Sequence, residues 1–164
     1  MEPMRVYIET SVFGGYFDEE FMESTQMFFG MLREKRFTPL ISDMLVEEIA
    51  EAPQQVRNLL SEIIQEGVEQ VEINDEAIDL RNAYLNADIV THQYRDDAMH
   101  VALATLVRVD VIASWNFRHL VNPSRIRAFN VVNAIQGYGP VVILTPADLN
   151  RALEESDEQK DKDL

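Results

Sequence analysis

Apolar positions along this chain recur in two rhythms, as short continuous runs of strand length and as longer stretches where they return every three or four residues. The first run, Val6-Tyr7-Ile8 after Met4-Arg5, stops at Glu9-Thr10-Ser11 and predicts a strand with Glu9 at its carboxyl end. Gly14-Gly15 loosens the next segment. Residues 20–35 then carry Phe21, Met27, Phe28, Met31 and Leu32 at roughly helical spacing, an amphipathic helix whose Met and Phe stripe reads as core. Residues 37–41 form a second short strand, in which Pro39 removes a ladder donor and so suggests an edge or a strand start. Ser42 caps a helix over 43–52, ended by Pro53, with Glu47 and Glu48 in its middle. A helix over 54–66 with Gly67 as its stop, a weak strand over 68–73 and a helix from Asn74 or Asp75 to about residue 87 come next.

The centre of the pattern is the stretch that begins Arg95-Asp96-Asp97. From Ala98 to Val107 only His100 and Thr105 are not apolar, so this helix is apolar nearly all round and belongs between layers. Asp96 suits the N-cap, and Asp97 falls in the first turn, where the partial positive charge of the helix end favours an anion. A strand over 111–114 comes next and runs into Trp115-Asn116-Phe117. Asn122-Pro123 and Thr145-Pro146 each read as an N-cap followed by proline at the first helical position, and a last strand lies at Val141-Val142-Ile143-Leu144. Strands that alternate with helices imply βαβ units. The predicted fold class is therefore α/β, a mostly parallel sheet covered by helices on both faces.

A length of 164 residues suits one core, expected as a single domain over 1–150, with 151–164 as a charge-dense, solvated or disordered acidic tail. No apolar run approaches the ~20 residues of a membrane span, and the N-terminus has no signal-peptide layout, so a soluble, cytoplasmic protein is expected. There is no cysteine. Thiolate chemistry and Cys-based zinc sites are excluded, and any metal must be held chiefly by oxygen. The net charge of −15 argues against nucleic acid until its distribution is considered. Residues 111–147 contain no Asp or Glu, where an even spread of the 29 acids would put about six. The same region carries Arg118, His119, Arg125 and Arg127, and the three arginines are candidates for RNA phosphate contacts.

In an open parallel sheet the working crevice lies outside the carboxyl ends of the strands. Glu9, Asp97 and Asn116 fall at that edge, and Glu48 joins them if its helix starts beside it. Three carboxylates and an amide suit a hard divalent cation such as Mg2+ or Mn2+, which can turn a bound water into a nucleophile. Taken singly, each residue has a plainer reading: Asp96 as a cap, Glu47 and Glu48 as a solvated face, His100 as a hydrogen-bonded core residue, Trp115 as packing.

The segments Val6-Tyr7-Ile8-Glu9-Thr10-Ser11, Ser42-Asp43-Met44-Leu45-Val46-Glu47-Glu48-Ile49, Asp97-Ala98-Met99-His100 and Ala113-Ser114-Trp115-Asn116-Phe117 resemble, in order and spacing, the motifs of PIN-domain proteins. The resemblance runs over residues 4–149 and is strongest to VapC-like toxins of type II toxin-antitoxin pairs. It implies an α/β/α sandwich, Mg2+- or Mn2+-dependent cleavage of single-stranded RNA, a homodimer and inhibition by a small antitoxin. It also maps the catalytic acidic pocket onto Glu9, Glu48 and Asp97 as metal ligands, with Asn116 near the fourth position. There are two departures: Glu9 stands where Asp is usual, and neutral Asn116 and His119 stand where relatives carry Asp. The pocket loses charge, which weakens metal binding and leaves open a second reading, a catalytically weakened PIN module acting through protein binding. A phospho-receiver domain is a third α/β reading. It calls for paired acids after the first strand and a lysine after the last, and Glu9-Thr10 and Leu144-Thr145-Pro146 supply neither.

Overall fold

The computed structural model describes residues 2–164. Five parallel strands form one sheet in the order β3-β2-β1-β4-β5. They are β1 (Arg5–Ile8), β2 (Thr38–Ser42), β3 (Glu69–Val71), β4 (Val111–Ala113) and β5 (Ile143–Leu144). Side chains alternate across the strands, and both faces are covered. Tyr7, Leu40 and Ile112 point into one apolar cluster, while Val6, Ile8, Ile41, Val111 and Ala113 point into the other. The expected α/β/α sandwich is therefore present, with a sheet that is parallel throughout.

The first cluster is closed by α5 (Asp75–Asn86), α6 (Arg95–Leu106) and α7 (Pro123–Ile135). The second is closed by α1 (Ser11–Gly15), α2 (Met22–Arg33), α3 (Asp43–Ile49), α4 (Gln54–Glu66) and α8 (Pro146–Lys162). As its all-round apolarity requires, α6 is buried without interruption from Ala98 to Thr105. The predicted caps form: Ser42 accepts from Leu45 N, Asn74 from Ala77 N, Asn122 from Arg125 N and Thr145 from Asp148 N. Gly67 ends α4 at φ 102°, a conformation that L side chains resist.

Several expectations are corrected. Asp96 is not the N-cap of α6; Tyr94 occupies that position without a side-chain cap, and both Asp96 and Asp97 lie in the first turn. The helix expected over 20–35 is present as α2, shorter at both ends, and a separate short helix, α1, precedes it at Ser11–Gly15, where the glycine pair reads as a loose segment. Pro39 is neither at the sheet edge nor the first residue of its strand. It is the second residue of β2, which lies between β3 and β1. The end of the chain is helical and largely solvated: α8 continues through Lys162, Leu153 is buried against the second cluster, and Asp157 pairs with Arg36. Charge density at the level of composition cannot distinguish such a helix from a tail, because a few apolar residues on one face are enough to dock it.

Candidate functional site

Sheet order determines where the crevice opens. The chain moves outward from β1 through β2 to β3, then crosses to β4 on the other side of β1, so the carboxyl ends of β1 and β4 flank the switch point. Glu9 leaves β1 there, with its N–H donating to Ala113 O at 3.0 Å. Its side chain is buried and held by serines from both strands. Ser11 Oγ and Ser114 Oγ donate to Oε1 at 2.6 and 2.5 Å, and Ser11 N donates to Oε2 at 3.0 Å.

His100, one turn into α6 from Asp97 and fully buried, occupies the middle of the site. Its Nδ1 is 2.6 Å from Tyr7 Oη, and its Nε2 is 2.9 Å from Glu48 Oε1 and 3.2 Å from Thr10 Oγ1. Burial is the largest influence on this imidazole and pushes its pKa down. The hydrogen bond to Glu48 and the charges of Glu9, Glu48 and Asp97 push it up and together prevail, leaving His100 above the ordinary value of 6.5. Protonated, both ring nitrogens donate, one to the tyrosine oxygen and one to the carboxylate. Burial likewise holds the Tyr7 phenol neutral, raised well above its usual range.

Asp97 and Asn116 form the other wall. Asp97 Oδ2 lies 2.7 Å from Nδ1 of His119, itself nearly buried, and His119 N donates to Asn116 Oδ1 at 3.0 Å. Since Asn116 Oδ1 serves as that acceptor, its carboxamide nitrogen is the free end and has no partner among the described residues. All four predicted pocket residues thus lie at the switch-point edge, three of them within electrostatic reach of one histidine. What sequence reasoning missed is the set of partners. Ser11, Ser114, Tyr7 and His119 each occupy a hydrogen-bonding position on a candidate acid or on His100, and only the His100 spacing of i+3 from Asp97 hinted at it.

The three arginines do not behave alike. Arg118 is exposed, with its guanidinium 4.9 Å from the Tyr94 ring centroid and Nη1 donating to Tyr94 Oη at 3.0 Å. Arg125 donates through Nε to Arg118 O at 2.9 Å and through Nη1 to Ile89 O, so two of its donors hold backbone. Arg127 is exposed on α7 and makes no hydrogen bond or ion pair among the described residues.

A hard divalent cation suits the oxygen chemistry of Glu9, Glu48 and Asp97 but not their arrangement. Among the described residues no group of three His, Asp or Glu side chains is placed to hold a metal ion. Glu48 and Asp97 face histidines and Glu9 faces serines. Histidine pairing occupies oxygens of Glu48 and Asp97 that a cation would need. Among the described residues no helix is long and apolar enough to cross a membrane.

No protein-family model and no curated protein sequence matches the chain. Among solved structures it is similar to a chain of the crystal structure of VapBC2 from Rickettsia felis bound to a DNA fragment from their promoter, with a TM-score of 0.56. The match covers 87% of this chain and 98% of that one at 11% sequence identity. A likeness at that identity speaks for backbone architecture alone, and with the parallel sheet described above it gives this chain a PIN-like α/β/α fold.

Proposed function

We propose that this protein is a cytoplasmic ribonuclease that hydrolyses phosphodiester bonds of single-stranded RNA, the toxin of a toxin-antitoxin pair. Its partners in this reading are a small antitoxin protein and a second copy of itself. The observation that carries the proposal is the gathering of Glu9, Glu48 and Asp97 around His100 at the switch point of a PIN-like sheet. Carboxylates from three separate elements are brought together at the one edge where parallel sheets host chemistry. The similarity to a chain of the VapBC2 assembly supports the toxin-antitoxin part. Val131 and Ile135 on α7, with Val142 beside β5, leave apolar surface that a homodimer would bury.

In this reading Glu9, Glu48, Asp97 and Asn116 are the catalytic set. Glu9 is the fixed charge, since three protein donors hold it. Asn116 offers a neutral N–H donor to a phosphate oxygen, which a carboxylate at that position would repel. Arg118 and Arg127 supply positive charge along the strand's path. The cofactor called for is Mg2+ or Mn2+ on Glu9, Glu48 and Asp97, and its binding has to displace the histidine pairs. The test is cleavage of an end-labelled single-stranded RNA by wild type, Asp97→Asn and Glu48→Gln, each with Mn2+ and with a chelator. Cleavage by wild type in Mn2+ alone, lost in both variants, is the expected result.

A second reading has its own observation. Glu9, Glu48 and Asp97 already have hydrogen-bonding partners within the protein, as in a structural network, which favours a PIN module that acts through protein binding. Absence of cleavage under every divalent-ion condition would select it.

A further inference from the structure

The turn after β4 builds a second feature that the acidic site does not use. Trp115, Phe117 and Phe21 form an aromatic group in which Phe21 and Trp115 are stacked at 4.4 Å between centroids and 23° between planes. Phe117 lies 6.2 Å from each of them. Two of the three are held in place. Trp115 Nε1 donates to Thr25 Oγ1 at 2.9 Å, Thr25 Oγ1 donates to Phe21 O at 2.7 Å, and the indole lies so close to Gly15 that a Cβ there would fall 2.7 Å from it.

The fold nevertheless leaves it open. Phe13, Phe28, Phe29, Phe37 and Phe129 are at most 2% exposed, whereas Phe117 is 49% exposed and Phe21 and Trp115 are only half-buried. A hydrogen-bond chain ties the group to the acidic site. Trp115 N donates to Ser11 Oγ at 2.9 Å, the same hydroxyl that donates to Glu9, and Asn116 lies between Trp115 and Phe117 in the chain. On the far side of Asn116, beyond Phe117, come Arg118, over the Tyr94 ring, and His119, paired with Asp97. One five-residue stretch therefore carries an aromatic face, an amide donor and a cation beside the acidic site.

An exposed aromatic face beside an amide donor and an arginine matches an unpaired nucleobase, whose π-face stacks irrespective of sequence and whose own backbone can reach neighbouring donors. We propose that Phe117, supported by Phe21 and Trp115, is a stacking subsite for one unpaired base of the nucleic acid strand that lies in the crevice. The inference rests on the ribonuclease reading and names what that reading leaves unspecified: single-strand selectivity arises because a paired base cannot present its face here.

Trp115 is the only tryptophan, so its emission reports on this site directly. In an Asp97→Asn background, a short single-stranded RNA should quench Trp115 on binding. Phe117→Ala and Phe117→Leu should weaken binding about 5- to 150-fold, the range for loss of one stacked base. Phe117→Tyr should retain it. A strand of equal length that is abasic throughout should bind wild type as weakly as intact RNA binds Phe117→Leu, and should not distinguish the two proteins. Because Phe117 is exposed, the variants should melt like their parent, which separates binding from folding. RNA that binds without quenching Trp115, and equally well to Phe117→Leu, overturns the stacking subsite while the ribonuclease reading stands. Failure of the Asp97→Asn parent and of chelated wild type to bind RNA at all overturns both, and leaves the aromatic face to a protein partner.

Discussion

His100 Nε2 meets Glu48 Oε1 at 2.9 Å across 52 residues of sequence, joining the buried helix α6 to the half-exposed end of α3. Tyr7 of β1 closes the other ring nitrogen, and Glu9, Thr10 and Asp97 face the same imidazole. A buried histidine stands among three carboxylates whose charges favour its protonated form.

That relationship has a pH consequence. The folded pKa of His100 is raised above 6.5, so the native state holds a proton that the unfolded chain releases first. The stabilisation is complete below about 6.5 and is lost as pH rises through the folded value. Urea unfolding at intervals between about pH 5.5 and pH 8.5 should show stability falling above neutrality. Glu48→Gln removes the strongest influence raising the pKa and should make that decline shallower. An identical pH profile in wild type and Glu48→Gln would detach His100 from the site's energetics.

Gly15 offers a purely steric prediction. A Cβ at this position would lie 2.7 Å from Trp115 Cδ1 and Nε1 and 3.0 Å from Thr25 Oγ1, and a stacked, hydrogen-bonded indole cannot move aside cheaply. Gly15→Ala should cost ~1–3 kcal/mol, lowering Tm by about 2–12 °C. Gly30, inside α2, has nothing within 4 Å of its added Cβ, and Gly30→Ala should gain ~0.5–1 kcal/mol from helix propensity alone. Thermal melts of the two variants that move in the same direction would refute the contrast.

Why these features were not equally legible depends on the range of each signal. The helix starts at Ser42, Asn74, Asn122 and Thr145 are local, a side-chain oxygen and an N–H three residues away, and all four form as the sequence predicts. The placement of Glu9, Asp97 and Asn116 at one edge came from parallel topology, which the alternation of strands and helices already implied. The pairs His100 to Glu48 and His119 to Asp97 span 52 and 22 residues, and no local pattern records them. A seat such as Gly15 under Trp115 is similarly invisible, because a glycine beside another glycine reads first as a flexible turn. The α8 helix was obscured for a different reason: its composition is polar nearly everywhere, and only Leu149 and Leu153, one turn apart, anchor it.

In the proposed function a metal ion would have to displace His100 and His119 from Glu48 and Asp97, which gives it a thermal signature. At a concentration about ten times its Kd, Mn2+ should stabilise the fold by ~1.4 kcal/mol, about 3–6 °C in Tm. Asp97→Asn should abolish the response, and Asn116→Asp, which adds a charge beside Asp97 through His119, should enlarge it. Equal shifts in wild type and Asp97→Asn would mean that the ion binds elsewhere on this acidic surface.

The arginines of the acid-free region should separate into two classes. Arg125 holds the carbonyls of Ile89 and Arg118, so Arg125→Ala removes the donor to the part-buried Ile89 carbonyl as well as the exposed bond to Arg118 O and should destabilise the protein by ~1–3 kcal/mol. Arg118 and Arg127 are exposed, and neither is bonded to a carboxylate among the described residues, so their loss should leave Tm nearly unchanged. If they line the path of the RNA, the Arg118→Ala, Arg127→Ala double variant should weaken binding whatever the sequence. It should also reduce the slope of log affinity against log salt by about 1.4, ~0.7 for each single-strand phosphate contact. Fluorescence anisotropy at several salt concentrations in the Asp97→Asn background measures both quantities. A slope that stays constant in the double variant while Arg125→Ala alone weakens binding would show that the region acts through the shape of its loops rather than through its charge.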